Sequence, residues 1–374
     1  MSEQIISIDN AIPYLLEKKF VDISSVVNEE IRIIDASRKN RNIQIIRRKD
    51  RSYLLKQPNI SDLLSAETIR RESRLYSLVH GDPDFIPVRK IMPEIIHYDS
   101  ERNILVLEFI SNSQSFNDYN YGLTINEFPA SPALKLGDMM ATYHRAFNGW
   151  TDSAKTSFLP KSFPSNLVIV RPGPFLLTRI SPANLELLKL IQKYPDLLEF
   201  LEYIYTDWKT QTLIHGDMKW DNVILRQPDN PDLFQMKIVD WELAGLGDPA
   251  WDIAGVFHDF ISFWIFSLPI TGNEKPEQLV SSAEYPLQGM KRAIRSFWKG
   301  YVTNAELTNK QSNELLLRST RYCAARIIQK AYEAHQSSTE LSNTAVYMVQ
   351  TSLNIMYNVE DAVVHLFGIP FRGY

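Results

Sequence analysis

The sequence predicts an α+β, bilobal chain: a small β-rich N-terminal lobe over residues 1–110 and a larger α-helical lobe over 111–374. Three observations carry this. Short apolar runs separated by polar turns fill the first part of the chain. The segment from Ser111 to Pro132 is polar and irregular. The last hundred residues hold three long helical patterns.

Ile31 to Asp35 is a short apolar run, Asn42 to Arg48 alternates apolar and polar, and Tyr53 to Lys56 is apolar again. Lys39-Asn40-Arg41 and Lys49-Asp50-Arg51 separate them, so a β-meander is expected. Glu67 to Val79 has helical spacing, with Ile69, Leu75, Leu78 and Val79 apolar. Ile104 to Ile110 reads as a buried strand. Beyond the connector, helices are expected over Ala133–Phe147, Asn184–Lys193 and Leu197–Trp208, with Asp196 as the N-cap of the last. Short strands follow over Thr212–Ile214, Val223–Leu225 and Met236–Val239. The final helical patterns run Pro286–Val302, Glu314–Gln336 and Leu341–Leu366. No repeat of solenoid length is visible.

The chain has 374 residues, 44 % hydrophobic and 22 % charged, as ordinary globular proteins do. A net charge of −4 and a pI near 6.0 argue against nucleic acid as the main partner. The one cysteine, Cys323, excludes an intrachain disulfide framework and a cysteine-cluster zinc site, and a reducing compartment is expected. The N-terminus has no basic leader before an apolar stretch. The most apolar segment, Trp251 to Ile270, contains Asp252, His258 and Asp259, which a membrane span would rarely tolerate. It is read as a buried helix, and a cytoplasmic protein without membrane partners is expected.

The informative stretch is Leu213 to Ala254. Gly216 permits a sharp turn after an apolar strand, and Asp217 sits in it. Asn222 follows five residues later. Asp240 ends a second apolar strand, and a short hairpin would bring it beside Asn222. One carboxylate and one amide oxygen are hard ligands that suit Mg²⁺ shared with phosphate oxygens and water.

His215-Gly216-Asp217, with Asn222 five residues on, resembles the protein kinase catalytic loop. Asp240-Trp241-Glu242 and Gly247-Asp248-Pro249-Ala250-Trp251-Asp252 then resemble the aminoglycoside phosphotransferase and choline kinase-like superfamily. The resemblance implies a kinase-like fold and an ATP-dependent phosphotransferase with an alcohol acceptor. It implies Asp217 as catalytic base, Lys219 near the γ-phosphate, and Asn222 and Asp240 as Mg²⁺ ligands. Asp252 would brace the catalytic loop. GTP is the other nucleotide left open.

Tyr53-Leu54-Leu55-Lys56 has the pattern of the kinase lysine strand. A charge ending an apolar strand turns inward only if paired. The partner expected is Glu72, in a segment that resembles the family's R-E-x-x-x-L helix, with Glu67 as fallback. Glu108-Phe109-Ile110 lies where kinases meet adenine with backbone groups. No glycine precedes Gly81, so the glycine-rich phosphate loop is absent. The loop in its place, Ser37 to Asn42, is basic.

The acceptor is not legible. The C-terminal helices carry Glu333, Glu360 and Asp361 but also Lys291, Arg292, Arg321 and Arg326, with no acidic excess for a polycation. Trp241, Trp251, Phe257, Phe263 and Trp264 offer an aromatic cage for a quaternary amine or simply core. The runs from Ser37 to Pro58 and from Arg321 to Glu333 look similar to kinases of lanthipeptide and thioamitide pathways, which act on Ser or Thr of a precursor peptide. Three classes therefore stand: a small-molecule kinase, a peptide kinase and a non-catalytic binding module. The intact set Lys56, Asp217, Asn222 and Asp240 argues against the third. Oligomeric state is not legible.

Overall fold

Alternation and continuity in the apolar pattern translate directly into sheet position. The computed structural model describes residues 5–28, 30–38, 40–59, 63–122, 128–161, 163, 180–226, 234–272 and 275–371. The chain forms two compact units, Met1–Tyr119 with Asp221–Ala244, and Asn120–Trp220 with Gly245–Tyr374.

In the first unit, β1 (Ile31–Asp35), β2 (Arg41–Arg47), β3 (Ser52–Gln57), β4 (Ile95–Asp99) and β5 (Ile104–Phe109) form one antiparallel sheet, order β1-β2-β3-β5-β4. Alternate residues Ile43 and Ile45 of β2 are buried, as the period of two requires. The apolar run of β5 is buried from Ile104 to Leu107. Helix Leu63–Gly81 packs on this sheet.

The sequence reading missed helix Ile8–Glu17, which contains Pro13. Burial of Ala11, Tyr14 and Leu15 against Ile43, Leu55 and Val106 offsets the proline. It also missed helix Ile23–Asn28 and strand β4. The connector was expected to be irregular, but it contains β6 (Gln114–Ser115) and helix Phe116–Tyr121. Residues 123–127 of the connector lie outside the described residues, as does Lys39 of the basic loop. β6 pairs with β8 (Val223–Arg226), and β8 pairs antiparallel with β9 (Gln235–Ile238).

The second unit is helical around Pro249–Phe266, which is buried from Pro249 to His258 and again from Phe260 to Ile265. Helices Ala130–Ala146, Leu287–Ala305, Asn309–Ala334 and Asn343–Tyr357 belong to the same unit. The short strands β7 (Thr212–Ile214) and β10 (Gly245–Gly247) pair antiparallel. The expected helix Leu341–Leu366 instead ends at Tyr357, because Asn358 leaves the helical region. Asp196 is not an N-cap: helix Pro195–Thr206 starts with proline at its first position, and Asp196 accepts a hydrogen bond from Tyr357. Among the described residues no helix is long and apolar enough to cross a membrane.

Candidate active site

The first unit gathers most of the predicted residues around one cavity. Lys56 is the penultimate residue of β3, and its side chain is 3 % exposed. Its Nζ donates to Glu72 at 2.6 Å and to Asp240 at 2.7 Å. Glu72 is fully buried on helix Leu63–Gly81, and it also accepts from the Trp241 backbone N–H at 3.1 Å. Glu67, the fallback, is exposed and lies beside Arg70. A helix buries one face, and Glu72 is on the face turned to the sheet.

Burial alone would lower the Lys56 pKa, but the carboxylates of Asp240 and Glu72 hold the ammonium protonated well above the usual lysine range. Burial pushes Glu72 up to about 7, against the pull of Lys56. A charge this deep persists because both partners are in place.

Asp240 is separated from the end of β9 by Val239 and has φ 65°, the left-handed region that a residue with a Cβ rarely adopts. Its side chain is 42 % exposed and lines the cavity. Asn222 is buried and directly precedes β8. Val223 pairs with Ile238, and the Val239 N–H donates to the Asn222 carbonyl at 2.9 Å. The hairpin expected from the spacing therefore places Asn222 and Asp240 side by side.

The cavity is about 590 Å³, within the ordinary range for a ligand site. Lys56, Asn222 and Asp240 line it with Tyr76, Leu107 and Ile110. Ser37 and Arg38 of the loop between β1 and β2 also line it, with Asp35 at the end of β1 and Asn42 near the start of β2. That loop has an anchor the sequence reading missed: buried Asn40 donates to Glu242 and accepts from Ser65. The acid of the D-W-E motif thus ties down a loop that has no glycine, and a pattern search for phosphate-binding glycines cannot see such a device.

Glu108, Phe109 and Ile110 also line the cavity. The Glu108 N–H donates to the Glu94 carbonyl at 2.8 Å, and its carboxylate accepts from the Glu94 N–H at 3.1 Å. The Ile110 carbonyl accepts from Ser113. Tyr76, one helical turn after Glu72, was also missed. It is fully buried, and burial and the Glu72 carboxylate push its phenol well above the usual tyrosine range.

Among the described residues no group of three or more His, Cys, Asp or Glu side chains could hold a metal unaided. The part-exposed carboxylate of Asp240 and the neighbouring Asn222 are oxygen donors that fit a hard cation taking its other ligands from phosphate and water.

The second unit holds the other two predicted residues. Gly216, at φ 81°, makes the turn after β7. Lys219 Nζ donates to the Asp217 carboxylate at 2.6 Å. Asp252 is fully buried and accepts from the His215 and Gly216 N–H groups at 2.6 and 3.1 Å. It also accepts from the Tyr143 hydroxyl at 2.7 Å and lies 3.3 Å from His144 Nε2. Burial would raise the Asp252 pKa, but the bond to His144, its charge and that of His215, and the Tyr143 bond keep it below the ordinary carboxylate range. Asp248 caps helix Pro249–Phe266 and pairs with Arg318 at 2.7 Å. The five aromatic cage candidates are all at most 7 % exposed, so they are core.

The model of the phosphotransferase enzyme family matches residues 30–273. Choline kinase from Cryptosporidium parvum Iowa II is similar in structure, at 13 % identity over 96 % of this chain and 99 % of that one, with a TM-score of 0.54. A glucosamine kinase in complex with glucosamine, ADP and inorganic phosphate is similar at 14 % identity over 94 % and 84 %, with a TM-score of 0.51. At these identities the likeness is one of fold, the kinase-like α+β arrangement. No curated protein sequence matches the chain. The match spans the buried lysine pair, the loop at Asp217 and the two motifs beyond it, and the chain belongs to the phosphotransferase enzyme family.

Proposed function

We propose that this phosphotransferase moves the γ-phosphoryl group of ATP to a hydroxyl of a small molecule. The observation that carries the reading is Lys56, an ammonium held between Glu72 and Asp240 at the wall of a nucleotide-sized cavity. A fixed cation there is suited to the α- and β-phosphates, where transfer is mostly positioning and charge neutralisation. Asn222 and Asp240 would hold Mg²⁺, which neutralises phosphate charge when bound.

Asp217 is the group proposed to take the acceptor proton as the hydroxyl attacks. Lys219 donates to that carboxylate at 2.6 Å and is proposed to meet phosphate charge during transfer. Asp252 orders the backbone N–H groups on the N-terminal side of Asp217, so the base is held rather than sampled. The acceptor class is proposed from the fold neighbours, a choline kinase and a glucosamine kinase. ATP is proposed on the same ground together with the cavity.

The test is an ATP-consumption screen over aminoalcohols, amino sugars, aminoglycosides and Ser/Thr peptides, with mass spectrometry for a phosphate adduct. A small-molecule adduct that requires Mg²⁺ and forms roughly 100- to 10,000-fold more slowly in Asp217→Asn is expected. Phosphate found only on a peptide would replace the acceptor class.

A further inference from the structure

The turn at Asp217 is held from both sides, and the motif residues account for one of them. On the N-terminal side Asp252 takes two N–H groups, and Trp251 Nε1 donates to the Gly216 carbonyl at 2.9 Å. On the C-terminal side the Met218 carbonyl accepts from Arg326 Nη2 at 3.0 Å, a bond between residues 108 apart in the chain. The guanidinium of Arg326 also lies over the Trp251 ring, 4.8 Å from its centroid. Thus Trp251 meets both residues that flank Asp217, one through its N–H and one through the arginine on its face.

Two details make this more than packing. Arg326 is 3 % exposed, and its Nε and Nη1 are buried with no acceptor among the described residues. Burying a permanent charge for one carbonyl and one ring is a poor route to stability, since an apolar side chain of like volume would fill the space at lower cost. Gly255 faces the same carbonyl: a Cβ there would lie 2.2 Å from the Met218 oxygen. The helix has therefore left room for the loop to come down onto Arg326.

We infer that Arg326 is a positioning residue for phosphoryl transfer, fixing the Met218 carbonyl against Trp251 and thereby the carboxylate of Asp217. This rests on the reading of Asp217 as the base. A displacement of roughly 1 Å at a reacting group costs on the order of 100-fold in rate. Lysine keeps the charge but cannot donate to the carbonyl while lying flat on the ring, so Arg326→Lys separates geometry from charge.

The experiment uses the full chain with MgATP, in the presence of choline or glucosamine and with water alone, in the wild type, Arg326→Lys, Arg326→Met, Asp217→Asn and the Asp217→Asn/Arg326→Lys double variant. Hydrogen exchange is read at the amides of residues 215–220. Both Arg326 variants are expected to lower kcat by about 30- to 100-fold with KM for ATP within about twofold, and to speed loop exchange at least about tenfold. In the Asp217→Asn background Arg326→Lys should cost less than about threefold, because the group it positions is already lost. Wild-type kcat in Arg326→Lys overturns the inference. So does a loss fully explained by the unfolded fraction, an equal loss in both backgrounds, or unchanged loop exchange. Wild-type turnover in Asp217→Asn defeats the base reading instead and takes the inference down with it.

Discussion

The Lys56 ammonium lies 2.7 Å from the carboxylate of Asp240, 184 residues later in the chain, and the same ammonium lies 2.6 Å from Glu72. One cation thus ties the third strand of the sheet to the helix that covers it and to the end of the β8–β9 hairpin. Under the proposed reading, those partners set where phosphate charge would be met.

Replacing Lys56 by methionine keeps the stem and removes the charge. The kcat/KM for ATP is expected to fall roughly 100- to 1000-fold, the size of one preorganised electrostatic contact. Steady-state kinetics over ATP concentration measure it. A value within threefold of wild type would return Lys56 to a purely structural role.

Asp240→Ala removes the part-exposed carboxylate beside Asn222. Calorimetric titration should show MgATP affinity lower by on the order of 100-fold, and ATP affinity without Mg²⁺ should change far less. Equal losses with and without the cation would mean that Asp240 acts only through Lys56.

Asp217→Asn should lower turnover by roughly 100- to 10,000-fold with nucleotide affinity retained, as expected for a positioned general base. The carboxylate takes a bond from Lys219 at 2.6 Å, so a small shift in melting temperature is the accompanying cost.

Asp252→Ala is expected to cost roughly 3–5 kcal/mol of stability, because it leaves the His215 and Gly216 N–H groups and the Tyr143 hydroxyl buried without their acceptor. The Asp252 pKa is held below the ordinary carboxylate value, so its contribution is complete above about pH 4 and fades as the pH falls through the lower folded-state value. Urea unfolding at pH 7 and near pH 3 should show the gap between wild type and variant narrowing in acid. A gap that widens in acid contradicts the sign.

Cys323 is fully buried, and burial pushes its thiol well above the usual cysteine range, against the opposing charge of Arg326. A thiol reagent at pH 8 should therefore find no reactive group in the native chain and one after denaturation. Fast native labelling would show that the helix Asn309–Ala334 opens.

Much of the site was legible because it lies in local pattern. The run from His215 to Asn222 and the acids at 240, 248 and 252 have fixed spacings, and the spacing of two short apolar strands is enough to set Asn222 beside Asp240. Glu72 was preferred to Glu67 through the resemblance of its segment to the family's R-E-x-x-x-L helix, and in the fold Glu72 is the buried one of the two. The Asn40–Glu242 anchor, Tyr76 and Arg326 were not legible. Each contact joins distant segments, and the residue types carry no signal until packing supplies the partner.

The sequence by itself determined the α+β class, the meander of β1 to β3 and the long C-terminal helices, because periods of two and 3.6 follow from backbone geometry alone. Only the tertiary structure decided that the proline-bearing helix Ile8–Glu17 forms, that the last helix breaks at Asn358, and that a buried lysine keeps its charge. Those outcomes turn on burial and on partners far away in the chain, and burial outweighs local propensity wherever apolar area or a charge must be taken out of water.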